Sequence, residues 1–195
     1  MSGAGTFDFC AAMERLCIDI CSRHAEFLHV RMSEVVVTFA QTRSSVDWGM
    51  QAKLTPLRFE GGRRTERRNG RVWTIHPIRH NGKEALYVLT FYLPRFLNLS
   101  FDEKIITVFH ELYHISPLFD GDIRRFKGAC YMHSGSQKAY DKQMAVFAKE
   151  YLASRPDRSL YTFLNHDFIN LQKSFGAVVG LRIQTPRLVE VRDAA

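Results

Sequence analysis

The sequence predicts an α+β fold with a small mixed or antiparallel sheet of three to four strands, an N-terminal helix and a central helix. Three patterns predict it: apolar residues at three- and four-residue steps near the N-terminus, short β-branched segments in the first half, and a capped amphipathic segment that begins near residue 100. The 195 residues, 46% of them hydrophobic, are enough for one core, so we expect a single domain over 1–195.

The first element is a helix over about residues 7–28. Its apolar face consists of Met13, Leu16, Cys17, Ile20, Cys21, Phe27 and Leu28. Cys17, Cys21 and His24 have the helical spacing of metal ligands, but free cysteines are commonly buried. We therefore interpret both thiols as core residues and His24 as a residue at the flank of the face.

Three strands are predicted next. The first, residues 34–41, is short and rich in β-branched residues. The second and third, residues 71–78 and 84–93, are connected through Asn81-Gly82, a dipeptide typical of tight hairpin turns. We expect these two segments to pair as a hairpin.

The formal net charge of +7 is unevenly distributed, because residues 61–71 hold five arginines and one glutamate. Turn-forming glycines and Asn69 in this segment predict a solvated surface loop. The alternative is weak, non-specific contact with nucleic acid through Arg63, Arg64, Arg67 and Arg68. Because no aromatic residue lies between the arginines, base stacking and sequence preference are not expected.

Targeting signals are missing from the sequence pattern. The N-terminal segment has no apolar run of signal-peptide type, and no apolar stretch approaches the roughly 20 residues of a membrane span. The four cysteines lack the dense spacing of a disulfide scaffold. We expect a reduced, cytoplasmic, monomeric protein with no membrane partner.

The central helix begins at Ser100, which forms a capping box with Glu103. Its apolar side collects Phe101, Ile105, Val108, Phe109 and Leu112. His110 and His114 share the other side, with Glu111 on a flank. This H-E-x-x-H spacing brings two imidazoles to one zinc ion while the glutamate reaches a water molecule. The simpler interpretation is a solvated helix face that carries two histidines.

The hairpin followed by FDEKIITVFHELYHISPLFDGDIRRFKG and YMHSGSQKAYD resembles the phage-type metallopeptidases, small zincins of phages and bacteria. More distantly, it is similar to SprT-like and minigluzincin proteases. The resemblance implies a zincin-like domain and a zinc-dependent peptidase with His110 and His114 as ligands and Glu111 as catalytic base. In that mechanism a zinc-activated water attacks the scissile carbonyl, and Glu111 passes the water's proton to the leaving amine. The strand 84–93 leads into the active helix, so the substrate could add to a nearby sheet edge.

A catalytic zinc needs a third protein ligand, and the sequence offers several. His133 precedes a predicted helix over 136–153 and is similar to the later histidine of SprT-like proteins. Asp120 has the spacing of the last metzincin ligand, although Pro117 occupies the position where those enzymes have glycine. Asp122 and Glu150 are further candidates, the latter in a thermolysin-like site. We favour His133 and leave the others open.

The residues around the ligands allow two further interpretations. Asp120 and Asp122 would either orient ligand imidazoles or pair with Arg124 and Arg125 to pin the loop. Tyr131 and Tyr140 are candidate donors of a hydrogen bond to the tetrahedral intermediate. The competing function is a nucleic-acid-binding module with a structural or vestigial zinc, or a protease recruited to DNA as the SprT-like resemblance implies.

Overall fold

The computed structural model describes residues 5–42, 49–125 and 137–191. The α-helices in these ranges are α1 (Phe9–Arg23), α2 (Phe101–Tyr113), α3 (Gln137–Ala153) and α4 (Phe168–Phe175). The strands are β1 (Thr6–Asp8), β2 (Val35–Gln41), β3 (Ala52–Pro56), β4 (Thr65–Arg68), β5 (Arg71–Ile75), β6 (Arg79–His80), β7 (Lys83–Glu84), β8 (Tyr87–Leu93), β9 (Ala177–Val179) and β10 (Leu188–Glu190). The predicted α+β class is confirmed.

The largest sheet by strand length is mixed and three-stranded, in the order β2-β8-β3. Strand β8 lies in the middle, parallel to β2 and antiparallel to β3. Alternate residues along a strand face opposite sides of a sheet. One side therefore packs on α1, α2 and α3 in the main core, whereas Val36 and Val88 face a second, smaller core. Both faces of β8 are covered, which explains its nearly continuous apolar sequence.

The C-terminal segment covers the second face and one border of this sheet. The backbone oxygen of Leu181 accepts hydrogen bonds from the Phe39 amide at 3.2 Å and the Thr38 hydroxyl at 2.7 Å. Ile183 then packs on the smaller core. Further along, β10 pairs antiparallel with β5.

The predicted pairing of 71–78 with 84–93 is found only beside the turn, where the Ala85 amide donates to the Ile78 backbone oxygen at 2.8 Å, and is wrong for the rest of both segments. Asn81 and Gly82 do form the tight turn, with φ of 49° and 77°, but it connects only the two-residue strands β6 and β7. Beyond it, β5 pairs with β4 and β10, and β8 pairs with β2 and β3. A turn sets the register only of the residues beside it, whereas burial selects the partners of a long apolar strand.

The arginine-rich segment 61–71 is also not the surface loop that its composition predicts. Strand β4 pairs antiparallel with β5, and Asn69-Gly70 forms the turn with φ of 50° and 77°. This Asn-Gly turn was as clear a hairpin signal as the one at 81–82. Strand β5 lies within the predicted strand 71–78, whereas its partner β4 was missed because its residues are largely exposed and charged and show no apolar alternation.

The predicted first helix ends earlier than expected, at Arg23, and a short 3₁₀ turn over Ala25–Phe27 follows. Cys17 and Cys21 are buried in the core, as predicted. His24 is not a flank residue, because its ring is 8% exposed and packs on Phe109 and Phe147. No helix among the described residues is long and apolar enough to cross a membrane.

Candidate metal centre

The helix that carries the two histidines is held at both its start and its buried side. The predicted capping box is present: the Ser100 hydroxyl accepts from the Glu103 amide at 3.3 Å, and the Glu103 carboxylate accepts from the Ser100 amide at 2.9 Å. Four of the predicted apolar residues, Ile105, Val108, Phe109 and Leu112, are at most 1% exposed. The buried Lys104 ammonium donates to the backbone oxygens of Leu164 and His166, which anchors α2 to the C-terminal part of the chain.

His110 and His114 face the same side of α2. Their ring centroids are 4.8 Å apart and their planes are inclined by 76°. Tyr140, from α3, packs its ring on both, with centroid distances of 4.8 Å to His110 and 5.8 Å to His114. The Tyr140 hydroxyl also donates to the backbone oxygen of His110 at 3.5 Å. Two nitrogen donors thus lie together beside a buried aromatic wall, the donor type that zinc prefers.

The carboxylate of Glu111 contacts the edge strand β3 of the sheet. Its side chain is 8% exposed, and the Leu54 amide of β3 donates to its Oε2 at 2.7 Å. Burial raises the pKa of this carboxyl to about 7, an effect only partly offset by the Leu54 hydrogen bond and the charge of Lys53. A glutamate with such a pKa is suited to exchange protons near neutral pH.

The strand that meets Glu111 was not predicted. The residues on either side of β3 hydrogen-bond with the β8 side: the Tyr92 amide donates to the Gln51 backbone oxygen at 2.8 Å, and the Leu57 amide donates to that of Leu86 at 3.0 Å. The backbone groups of even-numbered residues therefore point outward, toward α2. The alternation of Ala52 and Leu54 with polar neighbours was a weak signal for this strand. The sheet edge beside the site is β3, whereas the predicted segment 84–93 supplies the central strand β8.

The loop after the second histidine is held by Asp122, which is 5% exposed. Its carboxylate accepts from the Arg125 guanidinium at 2.9 and 3.0 Å, from the Gly61 amide at 3.1 Å and from the Ile123 amide at 2.8 Å. The structure therefore places Asp122 in the loop-pinning role, one of the two alternatives that the sequence left open. Asp120 caps the Asp122 amide at 3.1 Å.

This pinned loop also fixes the backbone at the end of α2. The Arg124 amide donates to the backbone oxygen of His114 at 2.7 Å, and the Ser116 amide donates to that of Asp122 at 3.3 Å. The Arg124 guanidinium lies 3.9 Å from the centroid of the Tyr113 ring rather than on an aspartate. The position of the second histidine thus depends on contacts that lie beyond the motif.

Among the described residues, none of the third-ligand candidates Asp120, Asp122 and Glu150 forms a metal-binding group with His110 and His114. Glu150 lies 3.2 Å from His24, which packs on Phe109 on the buried side of α2, so the structure does not bring Glu150 to His110 and His114. His133 and Tyr131 lie outside the described residues. Within the described ranges, no group of three His, Cys, Asp or Glu residues could hold a metal ion. Two histidines of the expected ligand set therefore lie side by side, and the ligand set as a whole stays a prediction.

Comparison with models of protein families, with curated proteins and with solved structures finds no match to this chain. The interpretation of the site therefore depends on its own residues and their surroundings.

Proposed function

We propose that this protein is a zinc-dependent peptidase with a zincin-like arrangement, in which His110 and His114 hold the ion and His133 completes the ligand set. Glu111 is the general base. The observation that carries the proposal is the position of Glu111, which is buried between the histidine-bearing helix and the edge strand β3. A purely structural zinc site has no use for a carboxylate in that position.

The chain's own groups support hydrolysis as follows. When bound, zinc would supply Lewis acidity toward a water molecule and the scissile carbonyl. The Leu54 amide holds Oε2 of Glu111, which leaves Oε1 to accept the proton of the attacking water and to deliver it to the leaving amine. Tyr140 packs on both imidazoles, and its hydroxyl donates to the backbone oxygen of His110, so its role is to hold the two ligand rings in place.

The edge strand suggests how a substrate would bind. An extended peptide can add to an exposed strand edge through backbone hydrogen bonds, with little dependence on sequence. Beyond Ala52 the outward amides of the β3 edge are occupied or missing: the Leu54 amide donates to Glu111 at 2.7 Å, Pro56 has no amide proton, and the Arg58 amide after the strand donates to Gly121 at 3.0 Å. We therefore place the substrate backbone at the Ala52 end of β3, in an unfolded segment of a protein or in a peptide.

The alternative nucleic-acid-binding function receives little support from the arginine hairpin. Four of its five arginines lie within 4 Å of a glutamate: Arg63 and Arg68 on Glu66, Arg64 on Glu84 and Arg71 on Glu190. Two of these glutamates, Glu84 and Glu190, lie outside residues 61–71. The fold therefore places negative charges from other parts of the chain beside the arginines and partly neutralises them. Exposed pairs of this kind are weak, but they compete with phosphate for the same guanidinium groups.

The test compares the metal content and the proteolytic activity of purified variants. We expect about one zinc per chain in the wild type and in Glu111→Gln, and loss of zinc in His110→Ala and His114→Ala. Glu111→Gln should hydrolyse an unfolded protein substrate about 10²- to 10⁴-fold more slowly than the wild type. His76→Ala, which removes an exposed histidine on another part of the surface, is the control. Wild-type protein that takes up no zinc, or full activity in Glu111→Gln, would contradict the proposal.

A further inference from the structure

A carboxylate from α3 lies behind the first of the two histidines. Oδ1 of Asp141 is 3.7 Å from Nδ1 of His110, and the two side chains are 51% and 20% exposed. In an imidazole, Nε2 is on the far side of Cε1 from Nδ1. A carboxylate at Nδ1 therefore leaves the other nitrogen of the ring for a different partner.

The approach of Asp141 to His110 is fixed by packing and does not depend on the reach of one side chain. The preceding residue, Tyr140, is 2% exposed and lies against the rings of both His110 and His114. Its hydroxyl donates to the backbone oxygen of His110. The start of α3 is thus held against the metal face of α2, and Asp141 follows at the border of that contact.

We infer that Asp141 is a positioning residue for His110. It attracts the proton to Nδ1 and so holds the neutral ring in the tautomer whose Nε2 lone pair is available to a metal ion. At 3.7 Å the pair is electrostatic, and a small rotation of the exposed carboxylate would bring the two atoms within hydrogen-bond distance. The inference rests on the proposed zinc site for its purpose, but the tautomer itself is a property of the metal-free protein.

The same helix offers a matched control. Glu150 is also a carboxylate of α3 beside an imidazole, at 3.2 Å from Nε2 of His24, and it is 60% exposed. Its partner lies on the buried side of α2, away from His110. Removing the charge of Glu150 thus reproduces the loss of a negative charge from α3 without altering the metal face.

The first experiment measures zinc affinity by competition with a chelator for wild type, Asp141→Ala, Asp141→Asn and Glu150→Gln. We expect zinc binding about 10- to 100-fold weaker in Asp141→Ala, the usual effect of losing a partner of a ligand histidine. Asp141→Asn keeps an acceptor oxygen and should recover part of the loss, whereas Glu150→Gln should stay within about twofold of wild type. Affinity in Asp141→Ala within twofold of wild type, or an equal loss in Glu150→Gln, would overturn the inference.

The second experiment records the ¹⁵N spectrum of His110 in the metal-free protein. We expect the Nδ1–H tautomer in the wild type and a shift toward the Nε2–H tautomer in Asp141→Ala, with thermal melting used to verify that the variant is folded. If the wild type binds no zinc, the proposed function fails, and the spectrum alone decides the role of Asp141. An unchanged His110 spectrum in a folded Asp141→Ala then refutes it.

Discussion

Replacing the proposed base by glutamine should stabilise the metal-free protein at neutral pH. Glu111 is buried, and burial raises the pKa of its carboxyl from 4.5 to about 7. Ionising it therefore opposes folding, because the unfolded chain offers the carboxylate full hydration. Glutamine has nearly the same shape, carries no charge and can still accept the Leu54 amide hydrogen bond.

The sign of the pH dependence follows from the raised pKa. Between pH 4.5 and about 7 the folded state binds more protons at Glu111 than the unfolded state does, so the free energy of unfolding falls as pH rises through this window. At 1.36 kcal/mol for each pH unit, the loss reaches about 3 kcal/mol by neutral pH. The Glu111→Gln variant has no ionisable group at this position, so its free energy of unfolding does not show this fall with pH.

The assay is urea denaturation of chelator-treated wild type and Glu111→Gln at pH 5 and pH 7.5. The variant should be close to the wild type at the lower pH and up to about 3 kcal/mol more stable at the higher one. Every other titratable group is the same in both proteins, so the difference between the two curves isolates Glu111. Glu26→Gln, at an exposed position, should change stability by less than about 0.5 kcal/mol at both pH values. A variant less stable than the wild type at pH 7.5, or a difference that does not depend on pH, would refute the reasoning.

Three other predictions concern the third ligand, the loop brace and the arginine hairpin. His133→Ala should lower zinc affinity as severely as His114→Ala, whereas Asp120→Asn should leave more of it; in a zinc-bound structure, a His133 nitrogen far beyond about 2.0–2.1 Å from the ion would contradict this. Asp122→Ala removes the acceptor for Gly61 and Arg125 and should lower the free energy of unfolding by about 3 kcal/mol in chemical denaturation, with a smaller loss in Asp120→Ala. If the hairpin binds DNA, the salt dependence should be shallower than the slope of about −3.6 for four phosphate contacts, and alanine at Arg63, Arg64, Arg67 and Arg68 should flatten it further; no retention at low salt would end this hypothesis.

The elements that the sequence predicted well are those whose signals are local. The start of α2 was predicted because the capping box at Ser100 and Glu103 involves residues three apart. Helix α3 was predicted at 136–153 and is found at Gln137–Ala153. The burial of Cys17 and Cys21 followed from one helical face. In each case hydrogen bonds and periodicity within a single helix carry the information, so neighbours in sequence are neighbours in space.

Strand pairing and the surroundings of the site were decided by contacts between distant residues. Both partners of β8, the strands β2 and β3, precede it in the sequence, and burial of both faces of β8 selects them over the adjacent hairpin segment. The Leu54 amide reaches Glu111 across 57 positions, and Asp141 reaches His110 from another helix. The motif therefore predicts His110 and His114 as zinc ligands and Glu111 as the base, because helical spacing alone aligns the two histidines. Only the tertiary structure placed a strand edge on Glu111 and a carboxylate behind His110, because such contacts depend on how separate elements pack and not on the order of residues within one.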